Sequence, residues 1–220
     1  MNPSQDAPAS LRITEVFYSL QGESRSVGWP TVFVRLTGCP LRCVYCDTAY
    51  AFVGGERRSL PDILGEVRGY GARHVCVTGG EPLAQPGCLA LLDALVAEGY
   101  AVSLETSGAL DVSQVHPKVV KVLDLKAPGS GEEARNLYAN LDHLDAKDQV
   151  KFVIADADDY AWAKAKLLEY RLPERCEVLF SPVAGRQDPA ELAEWMLKDR
   201  LHVRFQLQLH KVLWGDRPGV

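Results

Sequence analysis

The chain has 220 residues, 47% of them hydrophobic, with a formal net charge of −5 at pH 7. This length and apolar content suit one domain with a full core, and the acidic balance argues against nucleic acid as the main partner, because phosphate binding needs a basic face. No apolar run reaches the ~20 residues of a membrane span, and the polar, proline-containing start does not read as a signal peptide, so a cytoplasmic protein is expected.

Residues 1–10 read as a polar leader and 11–220 as a single domain. Strand-like runs follow at 11–18, 31–37, 74–78, 101–105, 118–125, 149–154, 176–181 and 202–210. Helix-like runs fall between most of them, at 60–70, 86–98, 156–170 and 189–198, with a less regular one at 132–144. Gly71, Gly99 and Pro173 stand where helices should stop, and 54–58 and 127–133 read as loops. Strand–helix alternation of this kind implies parallel pairing through crossovers.

Side chains in a strand alternate faces. Val32, Val34 and Leu36 share one face and Phe33, Arg35 and Thr37 the other. Val75 and Val77 oppose His74, Cys76 and Thr78. Val102 and Leu104 oppose Ser103 and Glu105, and Phe152 and Ile154 oppose Lys151. In the last run Phe205, Leu207 and Leu209 oppose Arg204, Gln206, Gln208 and His210. One face is thus uniformly apolar and suits the helices. The other is mixed, as in an open barrel with a polar, ligand-holding interior; an antiparallel sheet with one wet face is the alternative.

Six cysteines in such a chain read as reduced thiols or metal ligands rather than disulfides. Cys76, Cys88 and Cys176 lie in apolar segments and read as small buried side chains. Cys39, Cys43 and Cys46 differ, because they share one short loop with C-x3-C-x2-C spacing. Thiolates that close can all face one metal centre. A closed zinc site or an ordinary cubane takes four ligands, so three suggest a cluster with one open iron. A structural zinc loop with a remote fourth ligand is the alternative. The other unusual segments also follow strands: Thr78-Gly79-Gly80-Glu81-Pro82, Glu105-Thr106-Ser107-Gly108, Asp124-Leu125-Lys126 and Ser181-Pro182-Val183. In parallel barrels the site forms at the carboxyl ends of the strands, and every candidate motif is expected there.

The cysteine loop, with Tyr45 before its last cysteine, and the Gly79-Gly80-Glu81-Pro82 segment resemble the radical S-adenosylmethionine superfamily. Val16-Phe17-Tyr18-Ser19-Leu20-Gln21-Gly22-Glu23-Ser24, Cys46-Asp47-Thr48 and Gln206-Leu207-Gln208-Leu209-His210-Lys211 narrow the resemblance, which runs from Arg12 onward, to the 7-carboxy-7-deazaguanine synthase family. The resemblance implies a partial (β/α)6 TIM-like barrel. It implies a lyase that converts 6-carboxy-5,6,7,8-tetrahydropterin to 7-carboxy-7-deazaguanine with loss of ammonia, in queuosine and deazapurine biosynthesis. The cofactors implied are a [4Fe-4S] cluster, S-adenosylmethionine and Mg2+. The partners implied are the small-molecule pterin, a flavodoxin-like one-electron reductase and a second copy in a homodimer.

Roles carried over by motif follow the same resemblance. Cys39, Cys43 and Cys46 would hold the cluster and Thr48 the magnesium. Tyr45, Gly80, Glu81, Glu105, Ser107, Asp124 and Lys126 would meet S-adenosylmethionine, with Glu81 in the segment that holds its ammonium group. Leu20, Gln21, Gly22, Glu23, Arg35, Thr78 and His210 would meet the pterin. A guanidinium pointing into a barrel needs an anion, so Arg35 suits the substrate carboxylate; an internal salt bridge to Glu105 or Asp124 is the alternative. Thr48 reads equally as a helix N-cap, and His210 as a structural histidine. The chain departs from family members with Ser-Pro-Lys at the fourth strand end, having Asp124-Leu125-Lys126 there. A glycyl-radical activase or a non-catalytic metal-binding module are the rival readings of the same cysteine spacing.

Overall fold

The computed structural model describes residues 10–217 and 219–220. The apolar alternation seen in the sequence becomes a nine-stranded sheet, in the order β3-β1-β2-β4-β5-β6-β7-β8-β9. The strands are β1 (Ser10–Leu20), β2 (Pro30–Leu36), β3 (Glu56–Ser59), β4 (His74–Gly79), β5 (Ala101–Thr106), β6 (Val120–Asp124), β7 (Gln149–Ile154), β8 (Glu177–Pro182) and β9 (Arg204–Phe205). From β2 onward across the sheet the pairing is parallel, while β1 runs antiparallel to both β2 and β3. The sheet does not close, so the architecture is a partial barrel.

Helices α1 (Leu60–Gly69), α2 (Cys88–Ala97), α3 (Ala157–Glu169) and α4 (Pro189–Asp199) supply the crossovers. Their starts are fixed locally. Ser59, Asp156 and Asp188 accept backbone N–H bonds at the first turns, and proline occupies the opening turn of α1 and α4, where a missing N–H costs nothing. Their apolar faces meet one face of the sheet. Val32, Val34, Leu36, Val75, Val77 and Leu104 share a core cluster with Ile63, Val67, Leu91, Leu92 and Leu95. Cys76, Cys88 and Cys176 are buried free thiols, as read.

Five expectations need correction. The 54–58 stretch is not all loop: Glu56–Ser59 pairs with the start of β1, from Ser10↔Ser59 to Ile13↔Glu56. A short strand carrying Arg57 and Arg58 suits a sheet edge, because charge there blocks further pairing. Ser10, read as the last residue of a leader, opens β1 instead, and residues 1–9 lie outside the described ones. The 132–144 run forms two 3-10 turns, Glu133–Arg135 and Tyr138–His143. Asn140 explains this. Its side chain accepts from Val112 N and donates to Gly108 O and Leu110 O, bonds that compete with a regular helix.

The 202–210 run yields only the two residues of β9, so its alternation does not persist. Gln206 turns away, its amide accepting from Ser24 N at 2.7 Å and donating to Ser24 O at 2.8 Å, and α5 (Leu209–Trp214) follows. Finally, β1 is antiparallel, so Leu20 lies opposite Pro30 at the start of β2. Leu20–Glu23 thus enter from the amino ends of the parallel strands, unlike the other motifs.

That entry fills the open side of the barrel. Residues 21–28 cross from β1 toward β7 and the segment after β9. Arg25 N donates to Gln149 Oε1 at 2.6 Å, and Leu209 N donates to Gly22 O at 2.9 Å. Phe152 anchors the same side from the helix face, edge-on to Phe180 at 5.4 Å and to Trp162 at 5.9 Å. Phe152→Ala is expected to cost about 3–5 kcal/mol through lost burial and the cavity left behind, measured by denaturant unfolding at constant m-value.

Candidate active site

The inward face of the sheet and the loops at its ends enclose a cavity of about 500 Å³. Of the residues predicted for the site, all but Glu81 line it. Cys39, Cys43 and Cys46 are half-buried free thiols on its rim. Their loop is pinned from outside, where Val44 N donates to Ser130 O at 2.9 Å and Arg42 N to Glu132 Oε1 at 2.5 Å, and from within, where Arg42 Nη1 donates to Cys39 O at 2.7 Å. Burial pushes the Cys39 and Cys43 thiols up, so a bound metal is what would strip their protons.

The Gly79-Gly80-Glu81 segment lies against that loop at backbone distance. Gly80 N donates to Leu36 O at 3.2 Å and Glu81 N to Gly38 O at 2.8 Å. A Cβ on Gly79 would stand 2.5 Å from Leu36 O; one on Gly80 would stand 2.2 Å from Gly38 O and 2.9 Å from Cys39 Cβ. Glu81, expected at the cofactor, does not line the cavity. Its carboxylate is fully buried behind the cavity wall. It accepts from Leu83 N, Thr106 Oγ1, Ser107 N and Ser107 Oγ, the last two at 2.7 and 2.6 Å. It positions Ser107, which does reach the cavity.

Charged groups fill the floor. Gln21 Nε2 donates to Glu105 Oε1 at 3.2 Å, and Thr78 Oγ1 to Glu105 Oε2 at 3.1 Å. Burial, reinforced by the Glu23 charge, raises the Glu105 carboxyl above its ordinary value. At Glu23 burial acts the same way, but the Lys151 ammonium 2.6 Å from Oε2 outweighs it and holds that carboxyl low. Asp124 is likewise held low against burial by Lys126, at 2.7 Å, and Lys151, at 3.7 Å. Arg35 faces the cavity as read, but its internal partner is Glu15 on β1, at 2.7 Å, rather than Glu105 or Asp124. Tyr50 donates to the same Glu15 oxygen at 2.7 Å. The Tyr45 hydroxyl donates to Val153 O at 3.3 Å.

Thr48 precedes a 3-10 turn, Ala49–Phe52, but its side chain does not cap it. The hydroxyl donates to Asp47 Oδ1 at 2.7 Å instead. His210 stands in α5 with its ring against Gly22, where an added Cβ would meet Nδ1 at 2.3 Å. Sequence reasoning missed Lys151, Asp47 and Gln208 as site residues. Gln208 Nε2 donates to Glu23 Oε1 at 2.9 Å and to Asp47 Oδ2 at 3.3 Å. Each had a signal: Phe152 and Ile154 on β7 set Lys151 inward by opposition, and Asp47 and Gln208 lie inside the segments Cys46-Asp47-Thr48 and Gln206–Lys211 that carry the resemblance.

The radical SAM superfamily pattern matches residues 33–196. A relative from Chlorobaculum tepidum, a 7-carboxy-7-deazaguanine synthase, is 46% identical over 99% of this chain and 100% of its own length. The chain belongs to the 7-carboxy-7-deazaguanine synthase family. A second member, from Koribacter versatilis, is 42% identical over 93% of this chain and 97% of its own. The crystal structure of QueE from Escherichia coli superposes with a TM-score of 0.76 at 25% identity, covering 91% of this chain and 95% of that one. SuiB from Streptococcus suis matches with a TM-score of 0.56 at 16% identity, over 81% of this chain and 48% of its own, a likeness of fold alone.

Membership in this radical SAM family implies a [4Fe-4S] cluster and S-adenosylmethionine, and the residues present fit both. Three thiols of one loop face the cavity. Among the described residues no three His, Cys, Asp or Glu side chains converge on one ion-sized point; a cubane spreads its thiolates, each on its own iron. Beside them Gly80 lines the cavity without a side chain, and Asp124 Oδ1 is buried without a hydrogen-bond partner. Gly80→Ala is expected to push the Gly38 carbonyl aside and with it the neighbouring Cys39 side chain. Iron and sulfide bound after anaerobic reconstitution should fall at least about twofold below wild type, since a 2.2 Å contact with backbone is relieved only by moving the cysteine loop.

Proposed function

We propose that the protein converts 6-carboxy-5,6,7,8-tetrahydropterin to 7-carboxy-7-deazaguanine with release of ammonia. The observation that carries this reading is that the three-cysteine rim and a polar floor of Gln21, Glu23, Arg35 and Thr78 share one cavity of small-molecule size. A glycyl-radical activase would need a wide docking face in place of that floor. When bound, the cluster and S-adenosylmethionine supply one-electron chemistry and a carbon radical for hydrogen abstraction.

The chain's own residues bind, orient and exclude water. Cys39, Cys43 and Cys46 hold the cluster. Tyr45, Gly80, Glu105, Ser107, Asp124 and Lys126 shape the neighbouring cofactor site, with Asp124 Oδ1 offering a free acceptor. Leu20, Gln21, Gly22, Glu23, Thr78 and His210 hold the pterin ring. Glu15 takes Arg35 Nε, which leaves the terminal N–H groups of the guanidinium for the substrate carboxylate. Thr48, steadied by Asp47, would hold a magnesium ion whose remaining ligands are water and substrate oxygens. A raised Glu105 beside a lowered Glu23 gives the cavity one carboxyl that holds a proton more readily and one that stays charged.

The family resemblance also supports a homodimer reduced by a flavodoxin-like donor. Six free cysteines support a cytoplasmic setting, and no helix of the described residues is long and apolar enough to cross a membrane.

Anaerobic incubation of cluster-loaded protein with reductant, S-adenosylmethionine, magnesium and the carboxypterin is expected to yield the deazapurine and ammonia in equal amounts. Failure by fully loaded protein would overturn the assignment. Gly22→Ala should raise the KM for the pterin about tenfold or more with little change in Tm, because the methyl group displaces the His210 ring rather than any core side chain.

A further inference from the structure

Four strands bring charge into the cavity, and one side chain touches more of it than any family motif specifies. Lys151 Nζ lies 2.6 Å from Glu23 Oε2 and 3.7 Å from Asp124 Oδ2. Glu23 comes from the floor loop and belongs to the proposed pterin site. Asp124 ends β6 and belongs to the proposed cofactor site, where Lys126 also holds it. Lys151 is only 12% exposed, and Glu23 13%, so water screens neither well. No regular motif surrounds Lys151; its place follows from strand parity on β7 and the register Asp124↔Lys151 with β6.

We propose that Lys151 is a positioning residue that holds the substrate-facing carboxylate of Glu23 in place and ties it to the cofactor-facing Asp124. The proposal rests on the functional reading above and deepens it. Each end of the cavity needs its own carboxylate: Glu23 for hydrogen-bond donors of the pterin, Asp124 for donors of the cofactor. Two carboxylates and Glu105 in one poorly hydrated space repel one another, and a single ammonium between them cancels that repulsion. It also fixes the floor relative to the β6 end, so the two ligands meet in one register.

The surroundings of Glu23 make the consequence readable as a pH effect. From β7 it faces Lys151, from β5 Glu105, from β6 Asp124 with Lys126 behind it, from the cysteine loop Asp47, and from the C-terminal segment Gln208 and the nearby His210. Lys151 is the cation in contact with Glu23. Without it, burial and the neighbouring carboxylates would raise the Glu23 carboxyl toward neutral pH. Its folded-state value would then exceed its unfolded one, so the native state would lose stability as pH rises.

The test compares wild type with Lys151→Met and Lys151→Arg. Calorimetry on anaerobic, cluster-loaded protein measures binding of 6-carboxy-5,6,7,8-tetrahydropterin from about pH 6 to 8. The Met variant is expected to bind at least about tenfold more weakly, and the ratio of its Kd to that of wild type should grow as pH falls. Lys151→Arg, which keeps the charge, should retain the wild-type pH profile. Without ligand, the Tm deficit of Lys151→Met should widen from about pH 5.5 to 8. A Kd ratio and a Tm deficit that are both flat with pH would reduce Lys151 to packing and overturn the proposal. If the Met variant does not fold, Lys151→Gln against Lys151→Arg makes the same comparison. If wild type itself does not bind the pterin, the functional reading fails, while the ligand-free Tm series still decides the role of Lys151.

Discussion

Backbone against backbone, Gly79 and Gly80 lie on Leu36–Cys39 at distances that no side chain allows. The cysteine loop depends on that contact. It fuses the ends of β2 and β4 through Gly80 N–Leu36 O and Glu81 N–Gly38 O. Glu81 then reaches across to the end of β5 and takes donors from Thr106 and Ser107. A buried carboxylate is costly unless it is fully hydrogen-bonded, and this one is. Three neighbouring strand ends therefore behave as one rigid rim, which is what a loop with three metal-binding thiols needs if they are to keep their spacing before metal arrives.

The other end of the cavity is assembled on a different principle. A parallel sheet that stops short of closure leaves an open flank and backbone groups without ladder partners. Here side-chain amides take their place. Gln206 bonds both backbone groups of Ser24, and Gln149 accepts from Arg25 N. Each of these residues is buried or spans a buried contact, and the partners lie far apart in sequence. The floor that carries Gln21, Gly22 and Glu23 is thus held by tertiary bonds rather than by a strand. Its geometry depends on the C-terminal segment reaching it, as Leu209 N does at Gly22 O.

This division explains what could be read from the chain. Parity placed Val32, Val34 and Leu36 in the core and Phe33 and Arg35 toward the cavity, because central parallel strands have neighbours on both edges and nothing local competes. It failed for 202–210, where Gln206 bonds the floor loop and ends the strand after two residues. It missed β3, whose charged residues pair because the start of β1 presents a free edge on the side away from β2. The motif residues were legible since their chemistry is local: three cysteines in a loop, two glycines after a strand. Glu81 stands at the strand end the motif implies, but its carboxylate turns to Thr106 and Ser107, since sequence gives a position and not a side-chain direction. Parity set Lys151 inward, but its pairing with Glu23, like that of Gln208 with Glu23 and Asp47, joins different elements, and no short-range pattern announces such pairs.

Charge in the cavity is arranged for ligands that carry both signs. Glu23 and Asp124 are each held low by lysine, while burial and the Glu23 charge shift Glu105 the other way, against the Thr78 hydroxyl that donates to it. Among the described residues Asp124 Oδ1 is the buried side-chain polar atom left without a partner. An acceptor in that state costs about 1–3 kcal/mol relative to one that is satisfied. Core packing would have removed such a cost by substitution or by rotation toward a donor. Its persistence beside Lys126, on the wall that also holds Ser107 and Gly80, has a physical rationale if a ligand hydroxyl or ammonium completes it. The penalty is then carried by the free protein and relieved only in the complex, so binding at that wall gains both a hydrogen bond and the removal of a native-state defect.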